Sequence, residues 1–435
     1  LKLFNLSLQF NGFPLKKGQS ILNDIHRKSN NEFTEYLNIR KKDIVSHHLK
    51  HNSFYKTFAK NANLNNWNTI PIMTKDHLQQ PLEKRLSEGY NEKNVYINKT
   101  SGSSGNPFIF AKDRLCHALT WSVFINRYSW FNIDLNTSKQ ARFYGIPLNK
   151  KNYYKERFKD FLSNRYRFSV FDLSDTQLEK NLIKFKTSKF EYINGYTSSI
   201  VQFTKFLKQK NIVLKTICPS LKGCIVTSEM LFKEDRQLIE TQFGIPIINE
   251  YGAAELGLIA FQNTNNEWII NNEDLYVEIL DDSNNILPYG EEGKIVITSL
   301  YNKAHPFIRY ELGDIGILSK NSTIEKPILE KLIGRTNDIV VLPSGKKAAG
   351  LSFYYVTKTI IENNTPVKEF IVEQVKLDTF KITYVSHYEL SKEKLKAISK
   401  AIDNYLEPNL HIIFKREDQL IRSERGKLKQ FTSHL

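Results

Sequence analysis

Five short segments carry residue types that could work on a phosphorylated substrate. Thr100-Ser101-Gly102-Ser103-Ser104-Gly105-Asn106-Pro107 gathers glycines and hydroxyls in a tight loop. Such a loop can aim several backbone N–H groups and hydroxyls at phosphate oxygens. It lacks the Gly-Lys-Ser/Thr of a P-loop, and a β-prone run follows it where a P-loop has a helix. Read alone, it is either a phosphate cradle or a turn between strands. The segment Asn249-Glu250-Tyr251-Gly252-Ala253-Ala254-Glu255 ends an apolar run in an acid, an aromatic, a glycine and a second acid. Tyr251 could stack on a flat heterocycle, and Glu255 could hold a hard cation such as Mg²⁺ through oxygen. The plainer alternative is a strand end capped by a surface carboxylate. In 307–314 (FIRYELGD) and 334–338 (GRTND), Asp314 could accept both ribose hydroxyls and Arg335 could reach ribose or phosphate through its planar fork. Either could equally be half of a surface ion pair. The fifth segment, 422–429 (RSERGKLK), is a basic run that alone reads as solvated.

Two clusters point away from metal chemistry. His47, His48 and His51 have helical spacing, but no Glu stands in the metalloprotease position and no Cys is near, so a surface helix is expected. Cys218 and Cys224 have no second pair and are expected at the edge of a core.

The elements that must position these residues follow from periodicity. Residues 20–90 read mainly as polar helices, with a turn at Thr69-Ile70-Pro71. VYINKT and PFIFAKD are β-prone runs on either side of the Gly/Ser loop, and 114–130 has helical apolar spacing. Beyond it, helical stretches alternate with short apolar runs such as 222–228 (KGCIVTS) and 245–252 (IPIINEYG), the pattern of α/β layers. LYVEIL (275–280) and GKIVITSL (293–300) read as strands. After Gly334-Arg335 come IVVLPSGKK with a turn at 343–345, then EFIVEQ, FKITYVSHY, a helix over 391–406 and HIIFKRE. The predicted fold class is α/β: a large layered α/β domain over 1–334 and a small α+β domain over 335–435.

Composition removes whole classes of function. Of 435 residues, 40% are hydrophobic and 12% aromatic, enough for a sizeable core and too much for global disorder. No run of about 18 apolar residues is present, so no membrane-spanning helix is expected. The opening residues show no compact apolar region or cleavage site, and three cysteines are too few for a disulfide framework, so a cytoplasmic protein is expected. The formal charge of +16 suggests a polyanionic partner. Its distribution does not: 336–435 holds 16 Lys and Arg against 12 Asp and Glu, so the excess is about equally dilute in both parts. A weak attraction to an anionic membrane surface fits this better than specific nucleic-acid binding.

Taken in order, TSGSSGNP, TSE at 227–229, YGAAE, IRYELGD, GRTND and RGK resemble the core motifs of acyl-adenylate-forming enzymes. The wording is most similar to phenylacetate–CoA ligase-like proteins. The RY before LGD and the NGY at 194–196 resemble the branch that includes capsular-polysaccharide and coenzyme F390 synthetase-like members. The resemblance implies an N-terminal adenylation domain and a C-terminal lid turning on a hinge at Asn337. It implies ATP and Mg²⁺ as cofactors and a carboxylic acid as substrate. Ser101, Gly102, Ser103, Ser104 and Gly105 would cradle phosphates. Tyr251 would pack on adenine, Glu250 and Gly252 would also contact ATP, and Glu255 would hold Mg²⁺. Asp314 and Arg335 would grip ribose, and Lys427 would contact the reacting carboxylate and α-phosphate. By motif neighbourhood, Tyr144, Tyr196 and Ser228 would line the acid pocket. The preferred acceptor is an amine or hydroxyl, as in glycan biosynthesis, with CoA as the other; a non-catalytic nucleotide-binding protein on the same fold is the alternative of another class. Asn106, Ala254 and Asn337 depart from the usual Lys, Ser/Thr and Asp/Lys at their positions.

Overall fold

The structure is a computed structural model. It describes residues 3–100, 108–145, 150–335, 339–345, 347–349, 367–405, 407–422 and 428–435. The chain opens with helices α1 (Leu3–Phe10), α2 (Leu15–His26), α3 (Asn30–His51) and α4 (Ser53–Phe58). A capping box starts α3: the Glu32 carboxylate accepts from the Ser29 backbone N–H and hydroxyl at 2.8 and 2.7 Å. The helical expectation for 20–90 stops at Phe58. From Trp67 to Lys84 the chain makes only three single 3₁₀ turns. Asparagines 63, 65, 66 and 68, with prolines 71 and 81, favour local turns over a continued helix there.

Strands β1 (Tyr96–Lys99) and β2 (Ile109–Lys112) pair antiparallel around the Gly/Ser loop. Helix α5 (Arg114–Ser129) follows, capped by Asp113, whose Oδ1 accepts from the Cys116 N–H at 2.9 Å. Then come β3 (Gln140–Phe143), α6 (Lys150–Leu162), β4 (Arg165–Phe168), α7 (Asp175–Thr187), β5 (Tyr192–Tyr196), α8 (Thr197–Gln209) and α9 (Leu214–Ile217). After these lie β6 (Gly223–Thr227), α10 (Lys233–Phe243), β7 (Ile247–Ala253), β8 (Gly257–Gln262) and β9 (Trp268–Ile270). They build one seven-stranded sheet of order β4-β3-β5-β6-β7-β8-β9. Its first five strands are parallel, and β8 and β9 run antiparallel.

Two cores cover the two faces of this sheet. Phe143, Phe168, Ile193 and Val226 pack with Leu182, Phe185, Ile200, Phe203 and Phe243 of α7, α8 and α10. On the other face Tyr192, Ile225, Ile248 and Phe261 pack with Leu22 of α2 and Leu119, Val123 and Tyr128 of α5. This is the α/β layering that the sequence predicts.

A second sheet has the order β10 (Leu275–Leu280), β11 (Glu292–Ser299), β12 (Tyr310–Leu318) and β13 (Leu329–Arg335). The two strands read from sequence, β10 and β11, pair antiparallel with Leu275 opposite Ser299. The chain divides into two compact units, Leu1–Leu312 with Gly316–Lys331, and Gly313–Ile315 with Leu332–Leu435. In the second unit β14 (Ile339–Val341) and β15 (Lys347–Ala349) form a hairpin. Strands β16 (Glu369–Lys376), β17 (Thr379–Val385), β18 (His411–Glu417) and β19 (Phe431–Ser433) make a sheet of order β18-β17-β16-β19. Helix α11 (Lys392–Tyr405) buries Ile398 and Ile402.

Candidate active site

Strands β5 and β6 end level with each other, and β7 runs three residues further. Their register puts Tyr196, Thr227 and Glu250 side by side on β5, β6 and β7. Ser228 follows directly, in a left-handed conformation with φ 71°. Tyr144, just past β3, meets Tyr196 with ring centroids 4.5 Å apart. The strand order makes this the natural place for a ligand. From β3 the chain steps outward to β4 and then returns to the far side of β3 as β5, so β3 and β5 flank a topological switch point. Crevices at the carboxyl ends of such strands are where open α/β sheets bind ligands. Gly195 is required here: a Cβ on it would lie 2.5 Å from the Phe143 Cβ and 2.8 Å from the Phe143 carbonyl. That close approach explains the glycine of NGY.

The Glu250 carboxylate accepts from the Tyr128 hydroxyl at 3.0 Å and from the Thr227 hydroxyl. Burial pushes its pKa above the ordinary carboxylate range, against those two hydrogen bonds and the charge of Arg142. Glu229, the acid of the TSE segment, serves α8: its carboxylate accepts from the Ser198 N–H at 2.7 Å, at the positive end of the helix.

Tyr251 is 8% exposed and sets its ring edge-on to Trp268 at 6.1 Å. Gly252 lets β7 and β8 close up, since a Cβ there would come within 2.6 Å of the Gly257 carbonyl. Past β7, Glu255 is buried, and its Oε1 accepts from the Tyr310 hydroxyl at 3.1 Å. Sequence reasoning did not single out Lys112 nearby. It is buried, and its Nζ donates to Thr120 Oγ1 at 3.4 Å. Burial lowers its pKa, and the charges of Asp274, Glu255 and Asp113 work against that. The one sequence signal is a lysine ending an apolar strand.

Asp314 lies on β12 and is 8% exposed. Arg335 ends β13. Ser101, Gly102, Ser103, Ser104, Gly105, Asn106, Asn337 and Lys427 lie outside the described residues. Helix α3 carries the three histidines, but only His47 and His51 fit the surface expectation. His48 is fully buried, its Nε2 is 2.9 Å from the Asn302 carbonyl, and burial pushes its pKa down to about 3. Among the described residues no group of three His, Cys, Asp or Glu side chains could hold a metal ion. Cys116, Cys218 and Cys224 are buried free thiols. Among the described residues no helix is long and apolar enough to cross a bilayer.

No protein-family profile matches the chain. Two phenylacetate–coenzyme A ligases match parts of it. The protein from Pseudomonas putida is 30% identical over 185 residues, 41% of this chain and 42% of its own. The one from Aromatoleum evansii is 27% identical over 159 residues, 35% of each. The chain thus spans about two fifths or less of the length of these curated relatives. Solved structures extend the likeness to nearly the whole fold. A 2-hydroxyisobutyryl-CoA ligase holding an acyl-adenylate has TM-score 0.72 at 14% identity, covering 93% of this chain and 90% of that one. An amide bond synthetase from Marinactinospora thermotolerans has TM-score 0.53 at 13% identity, covering 78% and 69%. The chain has the fold of the acyl-adenylate-forming ligases and, over part of its length, sequence similarity to the phenylacetate–CoA ligases among them.

Proposed function

We propose that this chain activates a carboxylic acid with ATP and passes the acyl group to the thiol of CoA. The observation that carries the reading is the row Tyr196–Thr227–Glu250 at the carboxyl edge of the parallel sheet, running on into Tyr251 and the buried Glu255. In the first step a carboxylate oxygen attacks the α-phosphorus, and the bond from that phosphorus to the leaving pyrophosphate breaks. Tyr251 would pack on adenine beside Glu250 and Gly252, and Asp314 and Arg335 would hold the ribose. Ser101 to Gly105 would cradle the outer phosphates. Glu255 would hold Mg²⁺, since one buried carboxylate combined with substrate phosphates is a donor set that this ion favours. The ion would neutralise phosphate charge. Lys427 would offset the charge that develops on the phosphoryl oxygens. In the second step the thiol attacks the acyl carbon, and AMP leaves. Free thiols in the chain suit a reducing compartment such as the cytoplasm.

The partial matches to CoA ligases move the preferred acceptor from the amine or hydroxyl of the sequence reading to CoA. The glycan-linked wording of the motifs keeps the amine or hydroxyl as a second reading. The test is ATP–pyrophosphate exchange across aryl, short-chain, hydroxy and amino acids, with Lys427→Ala as comparison. Acid-dependent exchange that falls about 10²–10³-fold in the variant supports the proposal. Exchange undiminished in Lys427→Ala removes that residue from the chemistry, and exchange independent of added acid rejects acid activation. Thioester formed on adding CoA separates the two acceptors.

A further inference from the structure

At the switch point the buried Nε of Arg142 has no hydrogen-bond partner among the described residues. Arg142 lies on β3, with Arg167 opposite it on β4 and Asn194 opposite it on β5. Its neighbours Ala141 and Phe143 face the α7/α8 core, so Arg142 points to the other face, the side of α5. Helix α6 covers the same face at β4, because Arg165 and Arg167 reach its Asp160 and Glu156.

The acids there are already committed. Asp160 accepts from Arg165 at 2.5 Å and from Arg167 at 2.9 Å. Glu156 pairs with Arg167 at 3.0 Å and with Lys159 at 2.7 Å. Glu250 is bonded to Tyr128 and Thr227. Arg142 shares only a longer-range attraction with Glu250, whose ionised form its charge favours. Its guanidinium carbon lies over the Tyr144 ring, 4.2 Å from the centroid, and its buried Nε has no hydrogen-bond partner among the described residues. A half-buried guanidinium presents a planar fork of donors, and the acceptor that matches this fork is a carboxylate. Burial lowers the pKa of Arg165 and the field of Arg142 adds to that, while Asp160 works against both. Tyr144, over which the Arg142 guanidinium carbon lies, is also the ring that meets Tyr196 over the crevice.

We propose that Arg142 binds a second carboxylate on the acid substrate, making this chain an activator of dicarboxylic acids. The inference rests on the proposed acid activation. Its test separates the two by using stable adenylate mimics, which need no turnover. Acyl-sulfamoyl adenosines with succinyl, glutaryl and 4-carboxybenzoyl groups would be titrated by calorimetry, each beside its methyl ester. Expected is at least about tenfold tighter binding of one free acid than of its ester. In Arg142→Met that preference should disappear while the ester keeps its affinity, and Arg142→Lys should restore part of it. Acids and esters bound equally by the unmodified protein would overturn the inference and leave nucleotide binding intact. A preference that survives in both Arg142 variants would also overturn it. Failure of every mimic and of ATP to bind would overturn the acid-activation reading, and this inference with it. The acid–ester comparison in the unmodified protein stands even if a variant does not fold.

Discussion

Two glycines at the site are there because nothing larger fits. A Cβ on Gly195 would press into Phe143, and one on Gly252 would press into the Gly257 carbonyl. Neither φ is left-handed, so space alone makes the requirement. Gly195→Ala should therefore cost about 1–3 kcal/mol, the usual size of an overpacked core position, read from the urea midpoint. It should also disturb Tyr196, the next residue, so acid-dependent exchange should fall more than stability alone explains. An unchanged midpoint would mean that β3 and β5 have slack the geometry does not show. Several candidate site residues stood out at this scale because motif order marks them: Tyr251, Glu255, Asp314 and the glycines. Arg142 did not, nor did the bond from Tyr310 to Glu255, because their partners lie far off in sequence. Arg142 meets Asn194 and Arg167 only through strand register, and Tyr310 reaches Glu255 across 55 residues.

Elements are tied to one another by a few buried charges. Arg127 of α5 forms a two-pronged bond to Glu273 at 2.6 and 2.7 Å, and His26 of α2 adds a third contact at 2.8 Å. Burial alone would raise the Glu273 pKa, but Arg127 and His26 outweigh it and hold it at about 2. A carboxyl held below its ordinary 4.5 stabilises the fold above that value, and the contribution is lost as pH falls from about 4.5 through about 2. That contribution is of order 3 kcal/mol. Arg127→Met would leave the acid buried without its partner and should cost about 3–5 kcal/mol at pH 7. The same variant should lose the acid-limb instability between pH 4.5 and 2, measured by urea denaturation across pH. If the variant keeps that limb, Glu273 is not its source. Strands β1, β2, β10, β11, β16 and β17 were readable because short β-prone runs are bounded there by turn residues, while their pairing was not. Strands β3 and β4 were not: each is four residues long and carries arginine, QARF and RYRF. Those polar residues break the apolar run expected of a buried parallel strand, and Arg165 and Arg167 use that break to hold α6.

The whole molecule is expected to work as two parts. The chain divides into two compact units, and the motif resemblance implies a hinge at Asn337 between them in sequence. If the two half-reactions use two lid orientations, residue 337 must change φ and ψ between them. Proline fixes φ near −65°, so Asn337→Pro should impair either pyrophosphate exchange or thioester formation about tenfold more than the other. Equal losses in a normally folded variant would argue against a hinge at this residue. The central claim, attack of a carboxylate on the α-phosphorus of ATP, has a direct isotopic test. The acid that best supports exchange would be labelled with ¹⁸O in its carboxylate and turned over with ATP and acceptor, and the products weighed by mass spectrometry. The account predicts AMP carrying one ¹⁸O in its phosphate, left there when the acyl carbon is transferred. Label in inorganic phosphate, with ADP as product, or AMP without label, would contradict it.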